Sequence, residues 1–277
     1  MITSEYKQDG NAMLLQVKEV SKAFNYADSK ALQRNAVLNN VSIDIKDGEF
    51  VTIVGPSGCG KSTLLNIIAG LERPDSGNIL VKGESKTSTD PDRIVIFQEG
   101  GLFPWLTVLE NVEFGLKLSG VPQEKRRHAA SQFVNAVQLS RFADSYIYQL
   151  SGGMKQRVAI ARALALNPDI LLMDEPFAAL DVQTRDLLHN QLLQIHEATK
   201  KTILFVTHNI NEALSLGDRI VVLSPRTGSI KREFAIGLPR PRDVQSPELT
   251  VIKRQILKEL EEDFQFARRE IRKETIQ

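Results

Sequence analysis

Cysteine is almost missing from this chain of 277 residues: Cys59 is the only one. A single thiol closes no internal disulfide, so a small secreted scaffold held by cross-links is excluded. Tryptophan also occurs once, at Trp105, and neither sign of charge is in excess. The 35 Lys and Arg stand against 34 Asp and Glu, a net charge of +1. That balance gives no positive field for general nucleic-acid binding. Long apolar runs are lacking too. Stretches such as residues 203–206 have the length of strands, whereas a membrane helix needs about 18 apolar residues or more. The chain is therefore expected not to cross a membrane by itself. Residues 1–10 are polar and lack the apolar core of a secretion signal. No internal repeat or low-complexity tract is visible. What remains is an ordinary globular composition, 42% hydrophobic and 25% charged, with room for one substantial domain or two modest ones.

The most specific feature is a loop, Gly55-Pro56-Ser57-Gly58-Cys59-Gly60-Lys61-Ser62-Thr63, directly after the apolar run of residues 50–54. Its pattern is G-x-x-x-x-G-K-[ST], a phosphate-binding loop between a strand and a helix. The glycines permit backbone torsions that aim consecutive N–H groups at phosphate oxygens. The following helix adds its positive dipole end. Lys61 supplies a full charge, and the Ser62 hydroxyl is a hard oxygen suited to Mg²⁺. A nucleoside triphosphate is the expected ligand. Cys59 is either a redox-sensitive thiol beside the phosphates or a small residue that fits a tight loop.

Strand-like spacing covers residues 15–20, 37–45, 79–81 and 94–97, and a helix over 62–69 ends at Gly70. From Gln98 the texture becomes helical, with helices over 107–118, from Pro122 toward 139, and over 154–166. The near-continuous apolar runs at 170–173 and 203–207 predict strands buried in a parallel sheet. A helix over 184–198 joins them. The expected fold is α/β, a nucleotide core over 1–97 and 167–237 interrupted by a helical subdomain over 98–166. A linker and helical tail take 238–277, with Ile252, Ile256, Leu260 and Phe264 at i+4 steps as an amphipathic face. That helix either packs on its own domain or makes a regulatory or dimer contact.

Asp174 and Glu175 follow the buried run at 170–173, so they stand at the carboxyl end of a strand, where ligands of such sheets bind. Asp174 can hold Mg²⁺, and Glu175 can act as general base on an attacking water. His208 ends the next strand and can position that water. His128, His189 and His196 lie in polar helical stretches and are expected at the surface. Gln98 closes a strand and can touch Mg²⁺ or the water. Leu150-Ser151-Gly152-Gly153-Met154 precedes a helix and forms a second anion-ready helix start; Ser151 also fits a plain N-cap.

Taken together, residues 14–243 resemble the ATP-binding subunit of an ABC transporter. Residues 55–63 resemble its Walker A loop, 170–175 its Walker B segment, and 150–154 its signature, with Met154 where Gln is usual. Gln98 falls at the Q-loop, Ala179-Leu180-Asp181 at the D-loop and His208 at the H-loop. Phe24 falls where the family stacks an aromatic ring on adenine, with Tyr26 as an alternative. The resemblance implies a P-loop NTPase, ABC-type nucleotide-binding domain. It also implies an ATP hydrolase with ATP and Mg²⁺ bound by these residues. It implies a second nucleotide-binding subunit, identical or paralogous, whose Ser151, Gly152 and Gly153 face the phosphate loop of the first. Two transmembrane permease subunits, an extracytoplasmic solute-binding protein and a place at the cytoplasmic face of the inner membrane follow from it. Residues 101–112 and Leu238-Pro239-Arg240-Pro241-Arg242-Asp243 resemble the nitrate, sulfonate and taurine importer branch. Trp105 lies in the first of these, either near the membrane subunit or in the core of the insertion. The alternative is a soluble ABC-type ATPase in nucleic-acid or cofactor-assembly processes. The coiled-coil, zinc or second nucleotide-domain insertions of such proteins are not seen.

Overall fold

The computed structural model describes residues 13–28, 31–98, 100–224 and 228–274, with side chains excepted at 26–28, 31–33 and 262–274. The polar stretch 1–10, the Tyr26 ring and the Phe264 side chain lie outside what is described. Strands β1 (Met13–Asp28) and β2 (Ala31–Lys46) form a long antiparallel hairpin. Strand β3 (Phe50–Val54) runs into the phosphate loop and then into α1 (Lys61–Ala69). Strands β4 (Ser76–Val81) and β5 (Glu84–Ser85) complete a four-stranded sheet in the order β2-β1-β4-β5. After β6 (Arg93–Ile96) come α2 (Val108–Leu118), α3 (Gln123–Ala136) and α4 (Gly152–Ala165). The chain then returns through β7 (Ile170–Asp174), α5 (Val182–Thr199), β8 (Thr202–Thr207), α6 (Ile210–Leu216), β9 (Arg219–Leu223) and β10 (Ile230–Ala235). A long helix, α7 (Pro247–Glu274), closes the described chain. The second sheet has the order β10-β9-β3-β8-β7-β6. Its pairings are parallel from β9 to β6, and β10 is antiparallel to β9.

The strands of this sheet are apolar on both faces because both faces are covered. In β7, Ile170 and Leu172 point into a core shared with α1 and the hairpin sheet. Leu171 and Met173 point into the opposite core, with α4 and α5. β8 divides the same way, Leu204 and Val206 against Ile203 and Phe205. This period of two is what a pleated strand imposes. Burying each such side chain contributes about 1.5–3 kcal/mol. Helix α1 stops at Gly70, whose φ of 77° lets its N–H reach Asn66 and Ile67 carbonyls. A Cβ there would lie 2.3 Å from the Ser88 carbonyl oxygen, so the position requires glycine.

Helices α2, α3 and α4 enclose a core of their own, built from Val108, Val112, Val134, Leu139 and Val158 among others. Thr107 starts α2 with a capping box: its hydroxyl accepts from Glu110 N–H and the Glu110 carboxylate accepts from Thr107 N–H. On the other side, Leu249, Ile252, Ile256 and Leu260 of α7 pack with Phe234, Ile220 and Val222. The first half of the tail helix is thus held on its own domain.

Two histidines are not where their neighbours suggested. His189 and His196 are 8% and 5% exposed. They share a face of α5 with Leu188, Leu192 and Leu193, which pack in the core. His196 bonds the Gly48 carbonyl at 3.0 Å and sets its ring edge-on to Phe50. The polar residues around them belong to the outer face of the helix.

Candidate nucleotide site

Parallel pairing places the predicted residues at one edge of the second sheet. Val54 pairs with Thr207, Asp174 with Val206, and Ile96 with Met173. The phosphate loop, His208, Glu175 and Gln98 therefore leave from the carboxyl ends of four adjacent strands. In the loop, Gly58 and Gly60 have φ of 80° and 98°. A Cβ on Gly60 would stand 2.7 Å from Leu38 Cδ2 and 2.9 Å from the Val37 carbonyl oxygen. As the residue before α1, Gly60 offers no side chain to cap it, so the first helical N–H groups are left for an external anion. Lys61 is 5% exposed, and its Nζ donates to the Gly55 and Pro56 carbonyls at 2.9 and 3.0 Å. The ammonium is thereby held over the loop. Cys59 is buried in the core beneath it, which favours packing over redox chemistry. Pro56, Ser57 and Thr63 complete the loop and the first turn.

Ser62 Oγ donates to Asp174 Oδ1 at 3.0 Å. Burial pushes the Asp174 carboxyl above its ordinary value; the Ser62 hydrogen bond opposes this, and the Glu175 charge adds to it. A carboxylate short of positive charge beside a hydroxyl fits Mg²⁺, which takes few protein oxygens. Among the described residues no cluster of three His, Cys, Asp or Glu forms a metal cage. Glu175 has a left-handed backbone, φ 44°, and its N–H donates to the Val206 carbonyl at 3.0 Å. Its Oε2 lies 2.8 Å from His208 Nδ1. The carboxylate and the imidazole meet at the strand ends, and such a strained backbone is concentrated at functional sites. Gln98 is exposed just past β6. Phe24, 41% exposed on β1, has Lys22 Nζ 5.1 Å from its ring centre.

Ser151 caps α4, which Gly152 and Gly153 begin, beside the core of the three-helix layer, which includes Leu150. Ser151 Oγ accepts from Met154 N–H at 3.4 Å. Gly153 lets α4 approach α5 closely, since a Cβ would lie 2.4 Å from Thr184 Cγ2. Ser151 and Gly152 remain exposed. Asp181 caps α5 by accepting from Thr184 N–H at 3.0 Å.

A family model described as ABC transporter matches residues 38–178. The nitrate import ATP-binding protein NrtD of Synechocystis is 50% identical over 218 residues, 79% of this chain and 82% of that one. The chain belongs to the ABC transporter family. It is an ATP hydrolase of that type, with the ATPase cassette fold. The aliphatic sulfonates import ATP-binding protein SsuB of Bacillus cereus is 45% identical over 249 residues, 90% of this chain and 96% of that one. A solved ATP-binding cassette, a dimer in a post-hydrolysis state bound to ADP and Pi, superposes with a TM-score of 0.72. It shares 38% identity with this chain and covers 82% of it and 100% of that cassette.

Two residues not singled out from the sequence hold the loop between Gln98 and α2. Asn111 is fully buried and bonds the loop before α2 through Phe103, Leu106 and Thr107. Arg162 donates to the Gly100 and Gly101 carbonyls, both at 2.8 Å. Between these pins Trp105 is 69% exposed, so it is not a core aromatic. A polar residue in the apolar seam of α2, and an arginine inside the apolar run of α4, were the available signals.

Proposed function

We propose that the chain is the ATP-hydrolysing subunit that energises uptake of a small anionic solute, nitrate or an organic sulfonate, through separate permease subunits. The observation that carries this reading is the alignment of Lys61, Ser62, Asp174, Glu175 and His208 at one sheet edge. Lys61 exchanges its loop carbonyls for the β- and γ-phosphates. The loop N–H groups and the start of α1 hold the remaining charge. Glu175 accepts the proton of the attacking water at its carboxylate, and His208 orients the water and γ-phosphate. Mg²⁺, when bound, would be held by Ser62, Asp174 and Gln98 and would neutralise phosphate charge. Phe24 offers its exposed face to adenine.

The exposed helix start at Ser151 is offered to the nucleotide on the phosphate loop of a second nucleotide-binding subunit. The dimeric solved cassette supports this arrangement. We read residues 1–97 and 167–237 as the ATP core, and 98–166 as the subdomain that passes closure to the permeases. Residues 238–277 are the linker and packing tail. The groove of about 250 Å³ lined by Gly101, Phe103, Phe114, Gly115, Arg162 and Leu166, with Trp105 nearby, is the docking place for a permease segment. No helix among the described residues is long and apolar enough to cross a membrane. The chain works from the cytoplasmic face of the inner membrane, and an extracytoplasmic binding protein delivers the solute. The nitrate and sulfonate importer relatives support the anionic substrate.

Deleting the chain's gene and measuring uptake of labelled nitrate and alkanesulfonate tests the reading. One uptake is expected to fall to background, return with the parent chain, and stay lost with Glu175→Gln. Unchanged uptake of both anions, with no hydrophobic subunits co-purifying, contradicts it.

A further inference from the structure

Behind His208 lies a buried polar knot that the hydrolysis chemistry leaves unused. Glu212, 6% exposed on the first turn of α6, accepts the Thr207 hydroxyl on one carboxylate oxygen. Its other oxygen meets His189 Nε2 at 3.1 Å. Arg185 Nε lies 3.8 Å from that same oxygen. This nitrogen is buried and has no hydrogen-bond partner among the described residues. A buried carboxylate costs several kcal/mol unless paired. Burial would raise the Glu212 carboxyl, but the His189 and Thr207 hydrogen bonds and the Arg185 charge hold it below the ordinary range.

The knot has two outlets. Arg185 Nη2 donates to the Leu180 carbonyl at 2.7 Å, and its backbone N–H donates to the Asp181 carbonyl. Thr207 Oγ1 donates to Glu212 and accepts from Asn209 N–H at 3.0 Å, so it brackets His208. We propose that Glu212 is a positioning residue that ties the turn Ala179-Leu180-Asp181 to the His208–Glu175 pair. Arg185 Nε, 3.8 Å from Glu212, stands about 0.6 Å beyond the usual hydrogen-bond range. A slight approach of α5 to α6 completes that bond and fixes Thr207 and the backbone of His208. The inference rests on the reading of Glu175 and His208 as the hydrolytic pair.

Glu212→Gln keeps the size and an acceptor but removes the charge. Its kcat for ATP is expected to fall about tenfold or more, with KM and nucleotide affinity within about twofold, well below the melting temperature of each variant. Thr207→Val is expected to lower kcat in the same way, and Thr207→Ser to restore it. Parental kcat in Glu212→Gln overturns the inference. So does parental kcat in Thr207→Val, should the first variant not fold, or a kcat loss matched by a raised KM. Glu175→Gln runs alongside. If it retains turnover, the hydrolytic pair itself is misread. If it abolishes turnover while Glu212→Gln runs at the parental rate, the link alone has failed.

Discussion

Replacing Asn111 with alanine removes the strut under the exposed Trp105 loop. Asn111 Oδ1 accepts from Phe103 N–H at 2.9 Å, and Nδ2 lies 3.1, 3.2 and 2.9 Å from the Phe103, Leu106 and Thr107 carbonyl oxygens. Not all of these groups are stranded by the substitution. The Phe103 carbonyl keeps the Leu106 N–H at 3.2 Å, and the Thr107 carbonyl keeps the Asn111 backbone N–H at 2.9 Å. The Phe103 N–H and the Leu106 carbonyl lose the side chain that satisfies them. Phe103 and Leu106 are half-buried, so water satisfies part of what is lost; each group costs about 1–2 kcal/mol, roughly 2–4 in all. In a domain of this size that lowers the melting temperature by roughly 4–16 °C. Urea unfolding is the direct assay, with a lower midpoint at an unchanged slope. Asn111→Asp is expected to cost at least as much, because it keeps the acceptor and sets a carboxylate against the carbonyls. A loss below about 1 kcal/mol in Asn111→Ala would refute the assignment of these hydrogen bonds as the hold on the loop.

Gly60→Ala forces a Cβ to 2.7 Å from Leu38 Cδ2 at a φ of 98°, so nucleotide affinity in a titration with fluorescent ATP is expected to fall sharply; parental affinity contradicts the loop geometry. Asp174 is raised by burial, so the fold binds its proton more tightly than the unfolded chain does. The nucleotide-free protein then loses stability as pH rises from the ordinary carboxylate range through that raised value. Asp174→Asn is expected to melt at or above the parent near neutral pH without nucleotide, and to lose the stabilisation given by Mg²⁺ and ATP; melting well below the parent counts against it. Burial, opposed by the Gly48 hydrogen bond, holds the His196 imidazole below its ordinary 6.5. Its contribution is complete above 6.5 and is lost as pH falls toward the depressed value. His196→Gln, which can still donate to Gly48, is expected to flatten the melting profile below that pH, and an unchanged slope contradicts the assignment.

The parallel sheet was legible because strands covered on both faces read as continuous apolar runs, as at 170–173 and 203–207. The loop at 55–63 was legible because its glycines and Lys61 serve backbone geometry and charge at fixed spacing. Contacts that depend on register were legible only in part. The sequence sets Glu175 and His208 at the ends of parallel strands, but their direct bond appears only once β7 and β8 lie side by side. His189 and His196 looked solvated because the buried face of α5 is defined by α6 and by the β2–β3 turn, elements far away in sequence. The arginines of residues 238–243 fall in a stretch read as a linker. Arg242 instead donates to the Leu214, Gly217 and Ile236 carbonyls, and Arg240 to the Leu216 carbonyl, closing the end of α6. That end, together with α6, β9 and β10, was not read from the sequence.

In the proposed assembly, two nucleotide-binding subunits, here two copies of this chain, complete the ATP sites, the loop at Lys61 of one facing Ser151 of the other. Sedimentation of Glu175→Gln measures this with hydrolysis removed. The mass is expected to be that of one 30.9 kDa chain without nucleotide, twice that with saturating ATP and Mg²⁺, and one chain again when Ser151→Arg is added. A one-chain mass for Glu175→Gln at saturating ATP, or a doubled mass indifferent to Ser151→Arg, would contradict it.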